Sequence, residues 1–201
     1  MNSLILNKNV EYNFNPFGGI SNEEISKILV PKPFINQIIN DIKNPKIKIV
    51  ELAGLKGRGK TSHLKYLNKE FINSHLILID STTNKKTFTD LIDKLLFVDS
   101  IHHLNLINRL ALYKSNNKII LTTHITRFIE YKLANITYKK YSIKGIEFET
   151  LKTVLINRIA LSSNFKQKEV KLNDKEINLL IDKFNDDYRA ILNFLFDNFK
   201  L

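Results

Sequence analysis

The stretch "ELAGLKGRGKTSHL", residues 51 to 64, places three of the chain's six glycines just ahead of a lysine and a threonine, and from Gly54 to Thr61 it reads G-x-x-x-x-G-K-T. That pattern belongs to phosphate-binding loops, in which backbone N–H groups and a helix N-terminus surround an anion. Each residue type then has a task. Gly54, Gly57 and Gly59 can take conformations closed to residues with a side chain, and they let the main chain approach phosphate oxygens. Lys60 would reach the β- and γ-phosphates. Thr61 would offer its hydroxyl to Mg²⁺, a small, hard ion that prefers oxygen ligands. Leu55, Lys56 and Arg58 within the loop and Ser62 after it complete the candidate cradle. An ordinary glycine turn between a strand and a helix accounts for the glycines, but it has no need of Lys-Thr at the helix start.

The flanks have the required order. "KIKIVELA" (46–53) is an apolar, β-branched run that predicts a buried strand, and after the loop Leu64, Leu67 and Phe71 recur at helical spacing. Further on, "HLILID" (75–80), "LLFVD" (95–99) and "KIILTTH" (118–124) predict strands, and "TYKKYSI" (137–143) a fifth. Between them "TFTDLIDK", "IHHLNLINRLALY" and "RFIEYKLA" predict helices. Strands alternating with helices imply a parallel sheet covered on both faces, an α/β fold.

Three segments are expected: a leader with a helix (1–45), a phosphate-binding α/β core (46–144) and a small C-terminal helical lid (145–201). The leader contains the turn-rich "YNFNPFGG" and then Phe34, Ile38 and Ile42, four apart. In the last segment Phe148, Leu151, Leu155 and Ile159 share one helical face. Asn173 with Glu176 forms a capping-box pattern, Leu172 and Ile177 a hydrophobic staple, and a final helix opens at Asn185, Asp186 and Asp187.

With 201 residues the chain is long enough to bury a real core. It has no cysteine, which excludes disulfides and thiolate metal sites and agrees with a cytoplasmic location. The N-terminus "MNSLILNKNV" reads as neither a signal peptide nor a membrane anchor. A net charge of +11 suits DNA, RNA or another polyanion, yet the lysines are scattered along a Lys-, Asn- and Ile-rich sequence, so a merely basic surface explains the charge as well. In such a chain the five arginines (Arg58, Arg109, Arg127, Arg158 and Arg189) stand out, because a guanidinium grips phosphate in a way lysine does not.

The carboxyl ends of parallel strands line the ligand crevice, so Asp99 at the end of "LLFVD" can reach Mg²⁺ beside Thr61. Asp80 follows the same rule and is the alternative. Thr122, Thr123 and His124 end the next strand and can orient water or meet a phosphate. His63, His102, His103 and His124 could in principle share a metal, though packed or surface histidines are commoner. In "ITYKKYSIK" tyrosines and lysines interleave, as on a nucleic-acid-stacking strand or an amphipathic edge strand.

With these parts in this order, residues 12–200 resemble the AAA+ ATPase superfamily, P-loop NTPases with a parallel sheet flanked by helices and a C-terminal helical lid. In that likeness "GLKGRGKT" corresponds to Walker A, "LLFVDS" to Walker B, "ILTTH" to sensor 1 and "NDDYRAILNFLF" to the sensor 2 helix. The resemblance implies ATP and Mg²⁺ as cofactors, with Thr61 and Asp99 on the metal and Asp99, Ser100, Thr123, Arg127 and Arg189 as catalytic candidates. Arg189 would meet the γ-phosphate, and Arg127 would be the finger presented to a neighbouring subunit. Arg109 and Arg158 read as helix-surface ion-pair residues. The family usually carries a glutamate after the Walker B aspartate, where Ser100 stands here, and serine is a poor base at neutral pH. The expectation is a slow ATPase that forms a homo-oligomer with ATP and acts on or with DNA. The alternative is a nucleotide-gated switch that recruits a protein partner. A small-molecule kinase would need an arginine-rich lid and a substrate-binding acid motif, which the sequence does not display.

Overall fold

The computed structural model describes residues 4–5, 10–80, 91–185 and 187–199. In chain order the elements are α1 (Ile25–Ile28), α2 (Ile35–Lys43), β1 (Ile49–Ala53), α3 (Lys60–Lys69), β2 (Ser74–Leu78), β3 (Leu95–Asp99), a 3₁₀ turn (Ile101–His103), α4 (Leu106–Lys114), β4 (Lys118–Thr123), α5 (Phe128–Leu133) and β5 (Tyr138–Ser142). Then follow α6 (Phe148–Ser162), a second 3₁₀ turn (Gln167–Glu169), α7 (Asp174–Phe184) and α8 (Tyr188–Asp197). Of "TFTDLIDK" (87–94), expected to be a helix, the first four residues lie outside the described residues, as does Asp186, and residues 91–94 are not helical.

The chain divides into two compact units. One comprises Pro31–Leu55 and Lys60–Ile143; the other comprises Met1–Val30, Lys56–Gly59 and Lys144–Leu201. The division at Val30 falls inside the stretch read as a leader, so α2 belongs to the sheet unit and α1 to the helical unit.

The sheet unit is built on five parallel strands in the order β2-β3-β4-β1-β5. β4 lies between the strand that enters the glycine loop and the acid-tipped strand. Side chains alternate along each strand and feed two cores. Val50, Leu52, Phe97 and Ile120 pack on one face with Leu64 and Leu67 of α3 and Ile35, Ile38 and Ile42 of α2. Ile49, Leu96, Val98, Ile119 and Leu121 pack on the other with Leu112 and Tyr113 of α4 and Tyr131 of α5.

"IHHLNLINRLALY" is not one helix: Asn105 caps α4 by accepting from Asn108 N at 2.9 Å, and this cap cuts the preceding turn away. On the edge strand β5, Tyr138 packs on Tyr131 with centroids 4.8 Å apart, and the buried Tyr141 donates to Asp41 Oδ2 at 2.5 Å. Lys139 and Lys140 are exposed. The two tyrosines thus pack on opposite faces of the edge strand, Tyr141 within one core and the half-buried Tyr138 against the other.

In the helical unit α6, α7 and α8 enclose a core that includes Leu151, Leu155, Ile159, Ile177, Leu180, Ile191 and Leu195. Leu172 and Ile177 are both buried there, and Asn173 caps α7 by accepting from Lys175 N at 3.1 Å. Arg158 is not a surface ion-pair residue: it is 4 % exposed, and its Nη1 donates to Pro16 O at 2.9 Å and Gly18 O at 3.0 Å. Its Nε donates to Tyr188 Oη at 2.9 Å. The arginine ties "YNFNPFGG" to α6 and α8 by satisfying carbonyls that a turn leaves open.

Candidate functional site

In a parallel sheet every carboxyl end faces the same edge, so β1, β3 and β4 deliver their last residues to one place. β1 runs out at Ala53 into the glycine loop; β3 ends at Asp99; β4 ends at Thr123. Gly54 passes so close to Ile143 that a Cβ there would sit 2.3 Å from its carbonyl oxygen, and only glycine fits. The chain then enters α3, whose first residues are Lys60 and Thr61.

Lys60 is buried, with Nζ donating to Leu55 O at 2.7 Å and lying 3.5 Å from His124 Nδ1. Thr61 Oγ1 stands 2.9 Å from Asp99 Oδ2 and 3.1 Å from Oδ1. Thr122 donates its hydroxyl to Asp99 Oδ1 at 2.5 Å and accepts from Ser100 N at 2.8 Å. Ser100 itself is held at φ 58°, ψ 44°, in the left-handed region unusual for a residue with a side chain. The result is a compact group of hard oxygen donors beside a lysine ammonium, a donor set suited to Mg²⁺ and to anionic oxygen.

The pleat decides which β4 side chain joins this group. Thr122 shares a face with Ile120, on the α3 side, whereas Thr123 shares a face with Leu121 and donates to Ile125 O at 2.8 Å. Thr123, the residue singled out from the sequence, and Thr122, which meets Asp99, therefore face opposite sides of the sheet. Period-two alternation from Ile120 was the signal that could have drawn attention to Thr122.

Arg127 is engaged within its own unit. Its backbone N donates to Glu51 Oε1 at 2.8 Å, and its Nη1 lies 3.4 Å from Glu130 Oε1. Glu51, fully buried on β1, also accepts from Thr126 Oγ1 at 2.7 Å and Tyr131 Oη at 3.1 Å. Arg109 is buried too, and it grips Glu130 with Nη2 at 2.7 Å and Nε at 2.8 Å. It makes the ion pair expected of it, but in the interior. Burial raises the Glu130 carboxyl, yet hydrogen bonding to Arg109 and its charge, aided by Arg127, hold it below the usual carboxylate range.

Three histidines gather where the loop after β4 meets the turn after β3. The His102 ring centroid lies 4.3 Å from that of His124 and 4.3 Å from that of His103. Burial, then the charges of His124, His103, Arg127 and Lys60, depress the His102 pKa to about 4. Among the described residues no group of three or more His, Cys, Asp or Glu is arranged to hold a metal.

Within the helical unit, Gly57 of the loop has φ +80° and faces Asp187; a Cβ on it would fall 1.9 Å from Asp187 Oδ1. Arg58 Nη1 is 3.4 Å from Asp187 Oδ2, and Asp187 Oδ1 caps α8 by accepting from Ala190 N at 3.0 Å. Arg189 is exposed in the first turn of α8. Asp187 was read from the sequence only as part of a helix start; its approach to the loop depends on tertiary placement that local pattern does not report.

No protein-family model matches the chain, and no curated protein matches its sequence. Solved structures do match. A single-substitution variant of RuvB from Thermotoga maritima superposes with a TM-score of 0.58 at 16 % identity, over 85 % of this chain and 62 % of that one. AMPPCP-bound DnaA from Aquifex aeolicus gives 0.55 at 13 %, over 85 % and 62 %, and Hsp104 of S. cerevisiae in a casein complex gives 0.56 at 14 %, over 88 % and 45 %. The chain thus spans about three fifths or less of the length of these neighbours. Among the described residues no helix is long and apolar enough to cross a membrane. At these identities the likeness speaks for architecture: the chain has the fold of the AAA+ P-loop ATPases.

Proposed function

We propose that this protein binds ATP with Mg²⁺ through Gly54–Ser62 and Asp99, and hydrolyses it slowly in a cytoplasmic, ATP-dependent homo-oligomer that acts on or with DNA. The observation that carries the reading is the pairing of Thr61 with Asp99 at 2.9 Å beside the buried Lys60, at the sheet edge where the glycine loop opens a helix. Lys60 would neutralise phosphate charge, and Thr61 with Asp99 would hold the metal directly or through its water. Bound Mg²⁺ would supply charge stabilisation to the phosphates. Thr122 orients Asp99 and takes the sensor role at the end of β4 in place of Thr123, whose hydroxyl is turned to Ile125 O on the other face, and Arg127 and Arg189 take the finger and second-sensor roles that the AAA+ likeness assigns them.

Ser100 supports a second reading. A serine in place of the usual glutamate offers no carboxylate to draw a proton from water, which favours a nucleotide-gated switch for a protein partner over a fast motor. Phosphate release from ATP by the purified chain, with and without duplex DNA and with Lys60→Ala as the blank, separates the two. Release stimulated by DNA supports the DNA-acting ATPase. Tight ATP binding without release supports the switch, and transfer of phosphate to a metabolite would overturn both.

A further inference from the structure

A stack of three histidines lies beside the lysine, and the proposed function does not use it. His102 and His103 belong to the turn after β3 and His124 follows β4, so separate elements bring the rings together. The order His103–His102–His124 is continuous, at 4.3 Å per step, and it ends with His124 Nδ1 3.5 Å from Lys60 Nζ. His102 Nδ1 is buried and has no hydrogen-bond partner among the described residues. A buried ring nitrogen with no partner is costly to leave unmatched, and this one lies on the ring next to His124, which meets the phosphate-binding lysine.

We propose that the His102–His103–His124 stack is a proton-linked reader of the nucleotide: a triphosphate arriving at Lys60 draws one proton from solvent onto the imidazoles. The inference rests on the reading that Lys60 binds phosphate, and adds to it a coupled ligand, the proton.

The electrostatics have one sign. The groups bearing on His102 are His103 from its own turn, His124 and Arg127 from the segment after β4, and Lys60 from α3; all are basic. The carboxylate that ends β3, Asp99, is engaged with Thr61 and Thr122. In the free protein burial, and then this surrounding positive charge, keep the His102 ring neutral well below the ordinary histidine pKa of about 6.5. A terminal phosphate would reverse the sign of the local field at Lys60 and make the imidazolium the favoured form. Diphosphate, lacking that terminal group, would do so less. The proton lands on a ring nitrogen lone pair and leaves when phosphate leaves, so no other group need change.

The test is calorimetry of the full chain at pH 5.5 with Mg²⁺, titrating a non-hydrolysable ATP analogue in two buffers of different ionisation enthalpy. The same titration with ADP, and with His102→Gln and His124→Gln, corrects for the nucleotide's own protons. The inference expects uptake of about half a proton or more with the analogue, less with ADP, and a drop by at least about half in each variant. Should the variants fail to fold, the C2–H resonances of the wild-type histidines replace them; the analogue should raise the titration midpoint of at least one of the three by about one pH unit or more. Binding with equal proton uptake in wild type and variants, or with no midpoint moved, overturns the inference and leaves the phosphate-loop reading standing. No binding of the analogue by the wild type overturns both.

Discussion

Two polar clusters flank the same sheet, and they differ in how their hydrogen bonds are spent. On the α4 and α5 side, Arg109 and Glu130 form a buried two-point ion pair, with Tyr113 Oη donating to Glu130 Oε2 at 3.2 Å and Glu51 taking three donors of its own. The carboxylates there are satisfied by groups of the fold. On the α3 side, Asp99 is met by the hydroxyls of Thr61 and Thr122, and Lys60 meets a loop carbonyl and an imidazole. Hydroxyls and a carbonyl are neutral partners that an anion or a metal can displace at small cost, whereas a buried guanidinium–carboxylate pair resists it. Burial of charge is therefore a poor guide to function by itself; the identity of the partners separates scaffold from site.

This contrast is open to attack from both sides. The largest effect belongs to the scaffold: Glu130→Ala leaves Arg109 buried without its counter-charge and should cost about 3–5 kcal/mol, read as a lower denaturation midpoint. A loss under about 1 kcal/mol would mean the pair is no more than a surface bridge. Next comes the site. Lys60→Ala should weaken ATP binding by at least about a hundredfold, near 2.7 kcal/mol, while moving the denaturation midpoint little. Equal losses of binding and stability would erase the distinction between scaffold and site. Third, Ser100→Glu should raise ATP turnover about tenfold if a missing base limits it, measured as phosphate release; unchanged turnover would place the limit elsewhere.

The smallest effect is a pH dependence. Because the folded His102 pKa lies near 4 and the unfolded one near 6.5, the unfolded chain binds a proton that the folded chain refuses within that window. Stability should thus fall as pH drops from about 6.5 towards 4. Glu130, held low, keeps its contribution above the ordinary carboxylate value and loses it only as pH falls further. Melting temperatures at pH 7, 5.5 and 4.5 should fall less steeply in His102→Gln than in the wild type, and parallel slopes would remove the histidine as the source of the pH dependence.

Much of the sheet was readable from the chain because each strand is a short, largely apolar run bounded by polar or glycine signals, and Lys60, Thr61 and Asp99 announce themselves at fixed positions relative to those runs. What escaped depends on three-dimensional partners. Arg109 and Arg158 look like helix-surface residues at their spacing, yet one finds Glu130 and the other the carbonyls of Pro16 and Gly18, both distant in sequence. Thr122 and Thr123 are chemically identical neighbours, and only the register of β4 against β1 and β3 assigns them to faces. The gathering of His102 with His124 follows from that same register.

Equilibrium binding of ATP to the full chain, with and without Mg²⁺ and beside Lys60→Ala, tests the central claim most directly. Saturable binding that Mg²⁺ tightens and the substitution abolishes is the predicted result. Binding that is absent from the wild type, or unchanged by Lys60→Ala, would contradict the assignment of this sheet edge as a nucleotide site.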